Sequence, residues 1–286
     1  MRNNSERRAK KEPRGRLRRY INSLKNEIRQ NKKAFILYTI LRVLVIITLV
    51  MSILSGNIES AAVCILSLVL FLIPAFIEKR MRIEVPEVLQ IIVYLFIFAA
   101  EILGEVNHFF VHIRGWDTML HTLNGFLCAA VGFSLVNLLN ESTDKINLSP
   151  FYLTLVAFCF SMTIGVIWEF FECAMDLFFG QDMQKDFIVT TFNSVSLDPV
   201  GVGTRIHVNG IVQTVIETAS GTSYTIEGGY LDIGILDTMK DLLVNFIGAL
   251  VLSFIGYCSL KNRNKSRVIE NLTLKKRSIL DKNEPA

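Results

Sequence analysis

Four stretches of an otherwise apolar chain carry ionisable side chains at helical spacing: Glu101, Glu105, His108 and His112; Asp117, His121 and Asn124; Glu169, Glu172 and Asp176, behind Trp168; and Asp237, Asp241 and Asn245. Residues three or four apart share one face of a helix. Each stretch therefore reads as a polar stripe, the first only if its helix continues to His112. Acids gathered within a few ångströms raise one another's pKa values and take up protons, unless cations or a metal neutralise them. Nearby cations are few: Arg114, Lys240 and the histidines. Histidine with carboxylates on facing helices is the pattern of metal sites in helical bundles. His121, Asp117, Glu169, Glu172, Asp237 and Asp241 are the expected ligands, with Glu169 and Asp241 doubling as acid–base groups. Oxygen-rich ligation suits Mg, Mn or Ca, and added histidine suits Zn or Fe.

Each group also has a plainer reading. An acid at a membrane-helix end is interfacial and solvated, which covers Glu105, Asp117, Asp176 and Asp237; Asp237 also reads as an N-cap. Trp116 and Trp168 fit an aromatic belt as well as a site wall. Asn124 and Asn245 fit inter-helix hydrogen bonds, and Gly125, Gly132, Gly165 and Gly248 fit close helix packing. Arg42 can snorkel from the first helix. The plain reading is weakest for His121, Glu169, Glu172 and Asp241, which lie a turn or more inside.

The elements that must position these groups are membrane helices. The chain has 286 residues, of which 51% are hydrophobic, with a mean hydropathy of +0.41. Its apolar residues fall in blocks of the ~20 residues a bilayer crossing takes. The blocks run from Ala34 to Leu54, Ile58 to Ile77, Pro86 to Leu103, Thr118 to Leu139, Pro150 to Phe178 and Asp237 to Leu260. The expected fold is an all-α integral membrane bundle of about six transmembrane helices with a small extracytoplasmic β-hairpin insertion. Its parts would be a basic arm (1–33), helices one to five (34–179), an outer loop (180–236), helix six (237–260) and a basic tail (261–286). The first helix reads as an uncleaved anchor, since no small-residue cleavage site follows it.

Positive charge near helix ends marks the cytoplasmic side. The arm (Arg7, Arg8, Lys10, Lys11, Arg14, Arg16, Arg18, Arg19), the turn at Lys79, Arg80 and Arg82, and the tail (Lys261, Arg263, Lys265, Arg267, Lys275 to Arg277) are all cation-rich. An even number of crossings puts all three on that side, with both termini in the cytoplasm of a bacterial inner membrane. The partners expected are the bilayer and its anionic head groups rather than nucleic acid. The outer loop holds β-branched runs at Ile206–Ile216 and Ser223–Ile226 around the turn Thr218–Thr222, and a second turn signal at Asn209-Gly210. The cysteines, Cys64, Cys128, Cys159, Cys173 and Cys258, lie in apolar segments without metal-finger spacing and read as apolar filler.

Orientation brings the stripes together. Helices three and five run outward and end on theirs; helices four and six run inward and begin on theirs. All four then lie in one layer of the outer leaflet. Three functions compete for that layer: a divalent-metal site acting on a lipid or cell-envelope substrate, a proton, ion or small-solute transporter, and an accessory scaffold. The inner halves of the helices are almost purely apolar, which weighs against a conducting path.

At Asp117-x-x-x-His121, Trp168-Glu169-x-x-Glu172 and Asp237-x-x-x-Asp241-x-x-x-Asn245-x-x-Gly248 the chain resembles the YjdF-type family of bacterial inner-membrane proteins of unknown function (DUF2238). Gly180–Asp186 and Gly229–Gly234 look like the form found in Gram-positive relatives. The resemblance implies a multi-helix membrane protein and no known activity. A weaker similarity is to the VanZ-like membrane proteins linked to glycopeptide resistance.

Overall fold

The computed structural model describes residues 31–81, 83–142, 147–262 and 266–276. The arm cations from Arg7 to Arg19, Arg82, Arg263, Lys265 and Arg277 lie outside the described residues. Among the described residues six helices are long and apolar enough to cross a membrane: Lys32–Leu54, Ile58–Met81, Glu87–Val106, Trp116–Ser142, Pro150–Phe179 and Ile235–Lys261. These are the six blocks expected, with ends extended by a few residues. The first is α1 (Lys32–Leu54); the second comprises α2 (Ile58–Leu70) and α3 (Ile73–Met81). The third comprises α4 (Glu87–Ile97) and a π-helical segment, Phe98–Val106. A short helix α5 (Phe109–His112) precedes α6 (Trp116–Ser142), α7 (Pro150–Phe179) and α8 (Ile235–Lys261). Their apolar side chains stay exposed all round, with Leu54, Ile58 and Phe178 each about 80% accessible, as expected of surfaces that lipid covers.

The chain divides into two compact units, and α6, α7 and α8 contribute to both. The first holds residues up to Leu120 together with Phe133–Thr154 and the chain from Ile255. Its core packs Leu41, Val45, Cys64, Phe71, Tyr94, Ile97 and Ile102, with Tyr38, Phe71 and Tyr94 ring to ring. The turn from α1 to α2 needs Gly56 at φ +73°, and Asn57 caps α2 by accepting from Ser60 N at 3.0 Å.

The starts and ends of distant segments meet at one end of this unit. Glu87, opening α4, accepts from Lys33 N at 2.8 Å. Glu78 accepts from Val85 N at 2.9 Å and from Gln90 Nε2 at 3.0 Å. Strand β1 (Ile83–Glu84) pairs antiparallel with β8 (Lys275–Lys276), which follows α9 (Arg267–Leu272). The start of α1, the second loop and the C-terminal segment therefore share an end, as an even number of crossings requires.

The π-helical segment overturns one expected stripe. The helix carrying Glu101 and Glu105 ends at Val106, and His108 turns into the left-handed region at φ +57°. His108 and His112 therefore do not continue the Glu101–Glu105 face. Ile102 O accepts Asn107 N at 3.0 Å in the i to i+5 pattern of this winding and also takes Asn107 Nδ2, and Trp116 Nε1 donates to Ala99 O at 3.3 Å.

The second unit holds His121–Gly132 of α6 and Leu155–Phe254, which includes most of α7, the long loop and most of α8. Here three helices touch through glycine. A Cβ on Gly248 would lie 2.1 Å from Thr122 O, and one on Gly125 2.1 Å from Asn245 O. A Cβ on Gly165 would meet the Asn245 side chain at 2.7 Å. Asn124 Nδ2 donates to Asn245 Oδ1 at 3.2 Å, and Ser161 Oγ donates to Gly125 O at 2.7 Å. The asparagines thus serve as the inter-helix contact that their position suggested.

The loop is richer in strands than one hairpin. β5 (Gln213–Glu217) and β6 (Ser223–Glu227) form the expected hairpin around Thr218–Thr222. β3 (Thr191–Ser194) pairs with β4 (Ile206–Asn209), and β2 (Ile188–Val189) with β7 (Tyr230–Leu231). The Ile206–Ile216 run is two strands, broken where Gly210 takes φ +67°. The outer pair β2–β7 closes the base of the loop.

Candidate metal centre

Within the second unit, α6, α7 and α8 bring polar stripes together. His121 on α6 faces Glu169 on α7, with Nδ1 to Oε1 at 3.6 Å. One ligand atom each from His121, Glu169 and Glu172 lies within 4.8 Å of the others, and all three residues are buried. His121 and Asp241 likewise offer ligand atoms within 4.8 Å of each other. Two donors each about 2.1 Å from one metal ion stand roughly 3–3.5 Å apart, or more at wider angles. The His121–Glu169 separation is thus longer than a hydrogen bond and close to a ligand–ligand distance.

Helical geometry explains the convergence. Glu169 and Glu172 are three apart on α7 and share its face. Trp168 Nε1 donates to Glu172 Oε1 at 2.8 Å, which fixes the carboxylate's rotation. Trp168 thus touches the Glu172 carboxylate while staying partly exposed, and the Phe171 ring lies tilted against it at 5.3 Å. Asp117 lies one turn before His121 on α6.

The remaining acids have other work. Asp237 lies inside the first turn of α8, which starts at Ile235, so it is not the N-cap. Its Oδ1 takes the Lys240 ammonium at 2.6 Å and its Oδ2 takes Lys185 N at 2.9 Å. Lys240 also approaches Asp241 Oδ1 at 3.4 Å and lies over the Phe187 ring. Asp237 thus joins the loop base to α8 and falls outside the grouped ligands. Asp176, beyond Glu172 on α7, accepts from Met183 N at 2.7 Å and Gln184 N at 2.9 Å. It anchors the loop rather than extending the stripe. Arg114 belongs to the other compact unit.

Asp232 is a loop-anchoring carboxylate that spacing did not single out. It is buried and accepts from Phe187 N, Leu236 N and Gly234 N at 2.6, 2.9 and 3.3 Å. Burial raises its pKa, but these three donors outweigh burial and the net shift is downward. Next to it Ile233 sits at φ +55°, unusual for a β-branched residue, and Gly234 at φ +89°. A Cβ on Gly234 would meet Gln184 at 2.6 Å. Gly180–Asp186 and Gly229–Gly234 are therefore two halves of one latch. The glycines at the ends of Gly229–Gly234 were the available signal.

Helix composition, six spans and a buried His–carboxylate group define this as a polytopic membrane protein with a candidate metal centre in its helices. The chain belongs to the family described as predicted membrane protein (DUF2238), whose model matches residues 36–262. No curated protein matches the chain, and no solved structure does. Nothing matched speaks for the likeness to VanZ-like proteins.

Proposed function

We propose that this protein holds one divalent metal ion between α6 and α7, with His121, Glu169 and Glu172 as ligands and Asp241 beside them as an acid–base group. The observation that carries the reading is the grouping of those three buried donors within 4.8 Å. A nitrogen with two carboxylates suits Zn, Mn or Fe better than Mg or Ca. Such an ion polarises a phosphoryl or carbonyl oxygen, or activates water. The reading extends to a lipid or cell-envelope substrate at the outer face of a bacterial inner membrane, with both termini in the cytoplasm. The shared end of α1, the second loop and the C-terminal segment supports that topology, and the cation-rich sequence of those segments supplies its sign. Below the site Asn245 and Asn124 bond to each other, and Ala249 and Leu252 follow them fully buried. Close packing of this kind beside the site favours a metal site over a conduit.

The test is metal content of purified protein after equilibration with Zn, Mn or Mg and removal of loosely held ions. About one equivalent is expected in the wild type and less than a tenth in Glu169→Gln. Equal content in both proteins overturns the proposal.

A further inference from the structure

The C-terminal segment builds a second site, remote in sequence from the histidine and its acids. α9 buries Ile269 and Leu272, and Leu274 N donates to Ser134 Oγ on α6 at 3.0 Å. β8 then pairs with β1. Between this clasp and the ends of α6 and α8 lies a cavity of about 460 Å³, within the size range of small-molecule sites. Its wall is apolar at Phe133, Leu138 and Leu260 and charged at Glu141, Glu270 and the two lysines of β8.

The two lysines are not equivalent. Directly paired residues of an antiparallel ladder share a face. Lys275 stands opposite exposed Glu84, its natural counter-ion, whereas Lys276 stands opposite buried Ile83. Both lysines are exposed, and of the two only Lys276 has no acid opposite it in the ladder. Across the wall, Asn137 Nδ2 donates to Glu141 Oε1 at 3.0 Å and fixes that carboxylate. The cavity is therefore lined by two lysines and two acids, with Lys276 the lysine that faces no acid across the ladder, at the ends of two membrane-crossing helices. Two acids disfavour a purely anionic guest, and Lys276 disfavours a purely cationic one. A guest that carries a phosphate and an ammonium satisfies both.

We propose that this cavity binds a phosphate–ammonium zwitterion, the head-group chemistry of an aminophospholipid, with Lys276 toward the phosphate and Glu141 and Glu270 toward the ammonium. The helix ends place the cavity where a head group stands while its acyl chains run along the exposed apolar faces of the spans. The site is independent of the proposed metal.

The test uses the full chain, delipidated and reconstituted in nanodiscs of phosphatidylethanolamine with phosphatidylglycerol, or of phosphatidylglycerol alone, and read by native mass spectrometry of the released complex. The expected result is retention of one phosphatidylethanolamine in preference to phosphatidylglycerol. Retention should fall at least tenfold in Lys276→Glu and in Glu270→Lys, with unchanged thermal stability, and stay intact in Glu169→Gln. Competition by soluble glycerophosphoethanolamine would identify the free zwitterion as a sufficient ligand; absence of competition alongside retention would identify the intact lipid. Equal retention of the two lipids, or full retention in both charge-reversal variants, overturns the proposal. Because both side chains are exposed, the variants should fold; if either does not, Glu270→Gln with the same readout decides.

Discussion

Asp176, Asp198 and Asp232 lie at or beyond helix ends and take their hydrogen bonds from backbone N–H groups, whereas Glu169 and Glu172 inside α7 face a histidine and an indole. The residue chemistry is the same and the environments are opposite. A loop has N–H groups to spare, so Asp198 collects them from Thr204, Val200 and Val202, and its pKa is lowered by those bonds. A helix interior has none, because each N–H is already bonded to the carbonyl four residues back. A carboxylate there is satisfied by another side chain or by an ion. That is why the first group shapes the loop and the second group is the one that could hold an ion.

Removing a loop carboxylate should have the largest effect on folding of that loop and none on the metal. Asp232→Ala leaves the N–H groups of Phe187, Leu236 and Gly234 without their acceptor and should cost roughly 3 kcal/mol of loop stability. Hydrogen exchange at those amides measures it, while metal content stays at the wild-type level. The pH dependence has a definite sign. A carboxyl whose folded pKa is depressed contributes stability above its unfolded pKa, about 3.9, and loses it as pH falls through the lower folded value. Protection of the latch amides should therefore persist at neutral pH and fade below about pH 4. Asp186 acts in the opposite sense: burial, then the nearby Asp182, Asp232 and Asp176, raise its pKa. Protection of Asp232-bonded amides that is flat down to pH 2 would break the comparison.

A smaller effect is expected from changing the spacing of the helices. Gly248→Ala places a methyl against Thr122 O, where only backbone movement can relieve it. Overpacking of this kind costs roughly 2 kcal/mol, and it should loosen metal while sparing latch protection. Intact metal binding would show that the close approach of α6 and α8 is not what holds the site.

The smallest expected effect comes from the orienting indole. Trp168→Phe keeps the ring but loses the donor to Glu172 Oε1. Metal should still bind, at about tenfold lower affinity, the usual scale for a partner that orients a ligand. A titration that superimposes on wild type would return Trp168 to the role of an interfacial aromatic.

Much of this was legible along the chain because the bilayer imposes simple rules. Spans need long apolar blocks, and ionisable residues inside them are conspicuous. His121, Glu169, Glu172 and Asp241 stood out for that reason, and α6, α7 and α8 bring their stripes together. The π-helical segment was not legible, since the acids and apolar residues of Phe98–Val106 fit an ordinary α-helix equally well and only its packing, with Gly104 against Phe110, goes with the wider winding. Asp232 was missed because its partners are backbone groups that carry no residue signature. The tie that Asp237 makes was not legible for a related reason: its position in the first turn of α8 is local, but its contact with Lys185 N spans 52 residues.

The sequence by itself determined six apolar spans, the even crossing count that brings the start of α1, the second loop and the C-terminal segment to one end, and the spacing of acids along each helix, because hydrophobicity and helical periodicity are local properties of the chain. Only the tertiary structure decided which stripes meet, that the loop folds as three strand pairs tied down by Asp176, Asp232 and Asp237, and that the C-terminal segment returns to pair with the second loop. Those outcomes depend on glycines that let backbones touch and on backbone donors that any residue supplies, and neither is written in the type of a single side chain.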